Sequence, residues 1–290
     1  METITEIRRI VVRLALFTAM FVLPMFVVYQ SPKWIRQAMG LPAGDELLQD
    51  AAATGDVHRI EEALANGASI DSTDKAGYTP LQCAIMTNQR DAIVALIAAG
   101  ADVSSCTESG CTPLLLAVSG RHPDLVPILL KAGADPNQRT DSGANPLCIA
   151  SMDGEIKIVE ALLAAGANVN APTPSGLTPA IAAACSDENR VDVLQRLIHA
   201  GADLNHSDAS GATPLMEAAA HGDRESISVL LTGGADPTRL NHEGESACMI
   251  AQRNQNWNVI PLLDVQKRRQ PHRSLFSFVV EPWPRKAEQG

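Results

Sequence analysis

The stretch Gly110-Cys111-Thr112-Pro113-Leu114 decides the architecture of this chain, because variants of it return at a nearly constant interval. Its third position is occupied in turn by Thr79, Thr112, Asn145, Thr178, Thr213 and Ser246. A second anchor, Gly-Ala followed by Asp, Asn or Ser, keeps the same interval, with its glycines at Gly67, Gly100, Gly133, Gly166, Gly201 and Gly234. Two independent motifs that hold one period of about 33 residues indicate a repeat array.

The first anchor predicts the start of a helix, and the second anchor predicts the end of another. Thr, Asn and Ser are N-cap residues, and proline follows them in five of the six copies, where its missing N–H costs nothing. The glycine of the second anchor suits a helix end that needs positive φ. About ten polar residues separate one anchor from the next and read as a hairpin. Each unit is therefore turn, helix, turn and helix.

This period and these motifs resemble those of the ankyrin repeat over residues 45–268. The resemblance implies an all-α solenoid of helix-turn-helix units with β-hairpin fingers, and we expect about seven units, caps included, over residues 46–268. The chain departs from the family pattern in lacking the histidine that usually follows Thr-Pro-Leu, so we expect its hydrogen bond to the threonine to be lost. That position holds Gln82, Leu115, Cys148, Ile181, Met216 and Met249.

The charge of the chain is divided between an acidic array and basic ends. The formal net charge is −10, but residues 46–264 alone carry 28 acidic and 12 basic side chains. Such an array repels phosphate backbones, so nucleic acid is not expected as a partner. The acidity favours a basic or amphipathic protein partner, or else it only keeps the surface solvated.

Residues 1–36 are predicted to be an N-terminal signal anchor with one transmembrane helix. Residues 10–29 form a run of 20 residues that is apolar except for Arg13, Thr18 and Pro24, which is long enough to cross a bilayer if Arg13 reaches toward the head groups. Two alternatives stay open. One is a secretory signal cleaved near Gly40, and the other is an apolar helix packed on the array. Residues 37–45 are predicted to be a short tether.

The arginines near the N-terminus indicate the orientation of this anchor. Arg8, Arg9 and Arg13 precede the apolar run from Leu14 to Tyr29 and two basic residues follow it, which favours a cytoplasmic N-terminus. We therefore expect, for a bacterium, a single-pass protein of the inner membrane whose repeats face the periplasm. The alternative is a soluble periplasmic or secreted protein after signal cleavage.

Residues 269–290 form a C-terminal tail that no longer follows the repeat. Basic residues precede the apolar run from Leu275 to Val280, and Trp283 follows it. The tail is predicted either to fold back over the last repeat or to present an extended segment to a partner.

The sequence offers no recognisable reaction centre. Its six cysteines lack metal-ligand spacing, its histidines are scattered, and the period accounts for its glycines, so we expect no metal, no cofactor and no enzymatic activity. Cys106 and Cys111 flank one finger turn and could form a disulfide if the repeats lie in an oxidising compartment.

The resemblance to ankyrin repeats implies that a protein partner binds the concave groove between the fingertips and the first helices. Apolar residues at groove positions, Tyr78, Met86, Met152 and Leu177, suggest an exposed contact strip. The predicted partner-binding residues are Lys75, Tyr78, Met86, Glu108, Arg139, Asp141, Met152, Asp153, Leu177, His221, His242 and Glu243.

The sequence thus predicts a membrane-tethered protein that binds a partner as scaffold, protector or inhibitor. An immunity protein against a periplasmic toxin would be one form of inhibitor. Two other hypotheses stay open: a hydrolytic enzyme with an acidic site at Glu108, Asp141 and Asp153, or a spacer whose C-terminal tail is the functional part.

Overall fold

The computed structural model describes residues 43–186 and 190–264, which form seven consecutive helix pairs. The first three pairs and the first helix of the fourth are α1 Ala43–Thr54, α2 Val57–Ala65, α3 Pro80–Met86, α4 Arg90–Ala98, α5 Pro113–Ser119, α6 Val126–Lys131 and α7 Pro146–Met152. The rest are α8 Ile156–Ala164, α9 Pro179–Cys185, α10 Arg190–His199, α11 Pro214–His221, α12 Arg224–Thr232, α13 Ala247–Arg253 and α14 Ile260–Leu263.

The pairs stack into two layers. Each odd-numbered helix packs against its counterparts in the neighbouring pairs, and most of the even-numbered helices do the same. The core runs along the whole array between these layers. The leucine at the second position of a first helix, as at Leu81, Leu114 and Leu147, is at most 1% exposed. Because each pair is buried by its neighbours, the core needs small and aliphatic side chains more than aromatic ones.

The predicted helix boundaries are confirmed. The side chain at each of the six predicted N-cap positions accepts the N–H of the residue three positions later; Thr112, for example, accepts from the N–H of Leu115 at 3.2 Å. The glycines of the second anchor all have positive φ, between 86° and 100°. Pro therefore begins, and Gly follows, the helices at which the sequence places the two anchors.

The predicted β-hairpin fingers are wrong: within residues 43–186 and 190–264 there is no strand. Each finger is instead a compact five-residue turn. In the third unit, the N–H of Thr107 donates to the carbonyl of Cys111 at 3.1 Å, and Thr107 Oγ1 accepts the N–H of Cys111 at 3.1 Å. The N–H of Gly110 closes the loop on the Thr107 carbonyl at 2.9 Å. The five-residue loop leaves too few facing residues for a ladder.

The absence of the family histidine is compensated at Gln82, so the expected loss of a hydrogen bond is wrong there. Gln82 Oε1 accepts the N–H of the capping Thr79 at 2.9 Å. Its Nε2 donates into the next repeat, to the carbonyl oxygens of Ser105 at 3.0 Å and Cys111 at 3.4 Å. Gln49, one period earlier, donates to the corresponding carbonyls of its own neighbour.

Several predicted segments lie wholly or partly outside the described residues. These are the anchor at 1–36, the tail at 269–290 and most of the tether at 37–45; the end of the tether, residues 43–45, is helical and belongs to α1. Residues 187–189 also lie outside the described residues. Among the helices that the structure describes, none combines the length and the apolar character needed to cross a bilayer.

Candidate partner-binding surface

The fingers line one edge of the array, and three of the fingertips are hydrogen-bonded to the preceding finger through the backbone. The N–H of Asp141 donates to the carbonyl oxygen of Ser109 at 3.3 Å. The same bond joins Ala209 to Ser175 at 2.8 Å and His242 to Ser210 at 3.1 Å. Backbone bonds between repeats hold the fingertip side chains at fixed spacing, so this edge is preorganised for binding.

Pro174 interrupts this series of bonds, since it has no N–H to donate to the preceding finger. Its ring instead lies directly over Gly143, where a Cβ would come within 2.4 Å of the ring carbons. The fourth and fifth fingers are therefore joined by packing where their neighbours are joined by a hydrogen bond.

One ion-pair cluster demonstrates that a fingertip and a first helix face the same groove. Arg253, at the end of α13, bonds through Nη1 to Glu243 at 3.3 Å and to Glu245 at 2.6 Å in the finger of the same unit. Met86 and Met152 occupy the position of Arg253 in earlier units. The period therefore places these methionines on the groove side of their helices.

The charged residues predicted for the site are mostly exposed. The exposed ones are Lys75, Glu108, Arg139, Asp141, His242 and Glu243. Asp153 is half-buried and pairs with Arg121 at 3.2 Å, while Arg121 also lies 3.9 Å from Glu155. His221 is half-buried, with Nδ1 2.6 Å from the carbonyl oxygen of Glu217. The structure thus brings Glu108 and Asp141 together on adjacent fingertips, and it ties Asp153 into a separate ion pair.

The predicted exposure of the apolar strip is wrong at Tyr78. Tyr78 is only 9% exposed and belongs to the core, while Met86, Met152 and Leu177 are half-buried. The backbone explains Tyr78: its N–H donates to Asp74 at 2.8 Å and its carbonyl accepts from Gln49, which holds the finger against the preceding repeat. Burial raises the pKa of Tyr78 and that of Asp74. The exposed edge is consequently polar and charged.

Cys106 and Cys111 are free thiols in the structure, so the predicted disulfide is not formed in it. Cys106 is exposed, whereas burial raises the pKa of the Cys111 thiol to about 12. Burial also raises the pKa of Cys148 to about 12. Residues 43–186 and 190–264 bring together no group of three or more His, Cys, Asp or Glu side chains that could hold a metal ion.

Comparison with known proteins identifies the family. The sequence profile described as ankyrin repeats (3 copies) matches residues 48–140, 133–208 and 181–270. This chain belongs to the ankyrin repeat family. Among solved structures, the ankyrin repeat domain of human ASB11 is similar to it, with 28% identity and a TM-score of 0.65; the match covers 75% of this chain and 97% of that one. No curated protein matches the sequence.

Ankyrin repeats generally mediate protein–protein interaction, and their fold is typically a non-enzymatic scaffold. Ion pairs join neighbouring repeats and were not predicted from the sequence. The period could have revealed two of them, because Arg121 and Asp153 are 32 residues apart and Arg190 and Asp223 are 33 apart. Opposite charges one repeat apart face each other across neighbouring units, so a search at that separation would have found both.

Proposed function

We propose that this ankyrin repeat protein holds a protein partner against its fingertips and the adjoining ends of its first helices. The observation that carries the proposal is the bonded series of fingertips, which fixes charged side chains along one edge of the array. A preorganised surface binds at a lower cost in conformational entropy than a flexible one. Three or four adjacent repeats suffice for a standard interface of about 800 Å² per partner.

The chemistry of the edge favours a partner with a basic patch. Glu108 and Asp141 are exposed on adjacent fingers, within an array whose acidic residues outnumber its basic ones by 28 to 12. Long-range attraction speeds the encounter with a basic surface, and it rejects acidic competitors. Lys75 adds positive charge on the finger before that of Glu108, and Arg139 adds it at the base of the Asp141 finger, which gives the partner an orientation.

We also propose that a membrane segment anchors the repeat array. Residues 10–29 tether the array to the inner membrane, and the repeats work on the periplasmic side, as the distribution of arginines favours. A reporter that is active only after export, fused behind Gly290, is expected to be active. Activity of a cytoplasm-only reporter at the same site would contradict this orientation and would leave the binding surface itself untouched.

Binding at this edge serves a scaffold, a protector or an inhibitor equally well, and an immunity protein that neutralises a toxic enzyme is one form of the last. These roles differ in what happens to the partner. An inhibitor lowers the activity of the purified partner, a protector slows its unfolding or proteolysis, and a scaffold changes neither but joins it to a third protein.

The experiment that tests the proposal is quantitative capture from membranes with the intact chain as bait. Replacing both fingertip carboxylates, Glu108→Lys with Asp141→Lys, is expected to reduce recovery of the specific partner at least tenfold. The matched control is Glu61→Lys with Glu62→Lys, which changes the charge equally on the exposed side of α2. Equal recovery by both double variants would contradict binding at the fingertips.

A further inference from the structure

The last repeat leaves apolar side chains uncovered at the end of the array. The structure gives four large hydrophobic side chains as exposed within the residues it describes: Val94, Leu240, Met249 and Trp257. Three of the four lie in the last unit. Single exposed apolar residues are ordinary, but a group of them at one end of a molecule indicates a contact surface.

Comparison with the equivalent positions of earlier units shows that these side chains lack the cover of a following repeat. Met249 is 52% exposed, whereas the six residues at the same position in earlier units are at most 6% exposed. Gln82, one of these six, donates directly to the finger of the following repeat. Met249 therefore faces the place where an eighth repeat would lie.

Ile260 and Trp257 also lie at the uncovered end of the array. Ile260 is only partly buried, although its counterparts in the six earlier units are at most 1% exposed. Trp257 is 65% exposed and takes the position of Arg224, whose Nη1 bonds to the carbonyl oxygen of Asn258 in the following repeat. Met249, Trp257 and Ile260 define what we name the terminal face.

We infer that the terminal face is covered by the chain's own residues 265–290, which pack on it in place of an eighth repeat. This segment begins directly after Asp264, at the end of α14. It cannot continue the array, because Lys267-Arg268-Arg269 stands where the period calls for Gly-Ala-Asp. Its apolar run Leu275–Val280 and its Trp283 supply side chains of the kind that the face would bury.

Length and charge both favour this occupant. The ten residues 265–274 span up to about 33 Å when extended, and a seven-residue helix such as α13 is only about 10 Å long. The segment therefore reaches every part of the terminal face. It carries six basic and two acidic side chains, opposite in sign to the array, while a second array brought end to end would repel the first.

Site-specific photo-crosslinking in the full chain, held in detergent micelles, tests the inference. Met249→p-benzoylphenylalanine is expected to link, within one chain, to peptides that contain residues 275–283. The matched control, Val94→p-benzoylphenylalanine, is equally exposed but lies on α4 and is expected to give no such link. A link from position 249 to a second chain, to residues 1–42 or to nothing would overturn the inference.

A fluorescence measurement keeps the inference falsifiable if the crosslinker disturbs the packing. In a chain with Trp34→Phe and Trp283→Phe, Trp257 is the only tryptophan and reports on the terminal face. Adding Phe276→Ser and Phe278→Ser is expected to raise quenching of Trp257 by acrylamide at least twofold, with unchanged helix content by circular dichroism. Unchanged quenching would overturn the inference, and neither experiment depends on the proposed partner.

Discussion

Asp141 lies over Gly110 of the preceding repeat, so closely that a Cβ on this glycine would stand 2.6 Å from Asp141 Oδ1 and 2.8 Å from its backbone nitrogen. Position 110 requires glycine for two reasons. Its φ is 72°, and the next fingertip occupies the space that a side chain would need. The geometry of the candidate site is therefore set by residues of two repeats together, and the fingertips move only if their neighbours do.

Gly110→Ala is expected to destabilise the array more than Gly77→Ala. Both changes strain a backbone with positive φ, by about 1 kcal/mol. At Gly77 the nearest atom to the added methyl group is Glu108 Cγ at 3.8 Å, which is ordinary contact, whereas at Gly110 the methyl group collides with Asp141. The collision adds about 1–3 kcal/mol, the usual range for overpacking. Urea unfolding of the full chain in detergent, followed by circular dichroism, measures both; equal midpoints would contradict the stacking of fingertips on glycines.

Gln82→Leu is expected to lower the free energy of unfolding by about 2–3 kcal/mol, although leucine fits an apolar environment. The change removes two hydrogen bonds into the next repeat and the partner of the Thr79 N–H, and it leaves the Thr79 N–H and the Ser105 carbonyl without these bonds. Gln252→Leu, on the exposed side of α13, is the control and is expected to change stability by less than about 0.5 kcal/mol. A loss at Gln82 no larger than at Gln252 would mean that the bridge contributes nothing.

The parts of this fold that could be predicted are those decided within one unit. Thr112 caps its helix because the bond to Leu115 needs only three neighbouring residues, and the glycines of the second anchor follow from the same local rule. The burial of Tyr78 was mispredicted because it depends on Gln49 in the preceding repeat. The sequence of a single unit does not show which of its side chains the neighbouring repeats bury.

The candidate site was predicted in outline, and its chemistry was predicted less well. The period located the exposed fingertip residues Glu108 and Asp141. The same period did not reveal that Arg253 is already engaged by Glu243 and Glu245, because such pairs depend on how far each side chain reaches. Side-chain conformation, which repeats only loosely from unit to unit, is the missing information.

Lowering the pH is expected to remove the stabilisation that Asp223 gives to α12. Burial alone would raise the pKa of Asp223, but hydrogen bonds from Ser226 and the charge of Arg190 bring it below its ordinary value of 3.8. A carboxyl whose pKa is lowered by folding stabilises the folded state above its unfolded pKa, and this contribution disappears as the pH falls through the folded pKa.

The comparison is with Asp223→Asn, which keeps an N-cap side chain and removes the charge. The difference in urea midpoint between the two proteins is expected to be full above about pH 5 and to vanish toward pH 2. A difference that stays constant over this range would show that the charge of Asp223 plays no part.

Thiol labelling is expected to separate the cysteines of the third finger. With reductant removed after full reduction, iodoacetamide at pH 8 is expected to modify Cys106 at least tenfold faster than Cys111 or Cys148, because those thiols are buried and their pKa values are raised to about 12. Mass spectrometry of the peptides gives the rates, and equal rates would contradict the burial.

The same labelling tests the predicted disulfide in protein isolated without reductant. Protection of the exposed Cys106 that reductant reverses would indicate that the bond forms in the cell. Rapid modification of Cys106 in such material would rule the bond out.

Whether the charged fingertips hold the partner is decided by the dissociation constant of the complex between this protein and the purified partner. Titration calorimetry with the full chain in detergent is expected to give a Kd at least tenfold weaker for Glu108→Lys with Asp141→Lys, a loss of about 1.4 kcal/mol or more. The control, Glu61→Lys with Glu62→Lys, is expected to bind like the unaltered protein. A fingertip variant that binds as tightly as that control would contradict the account.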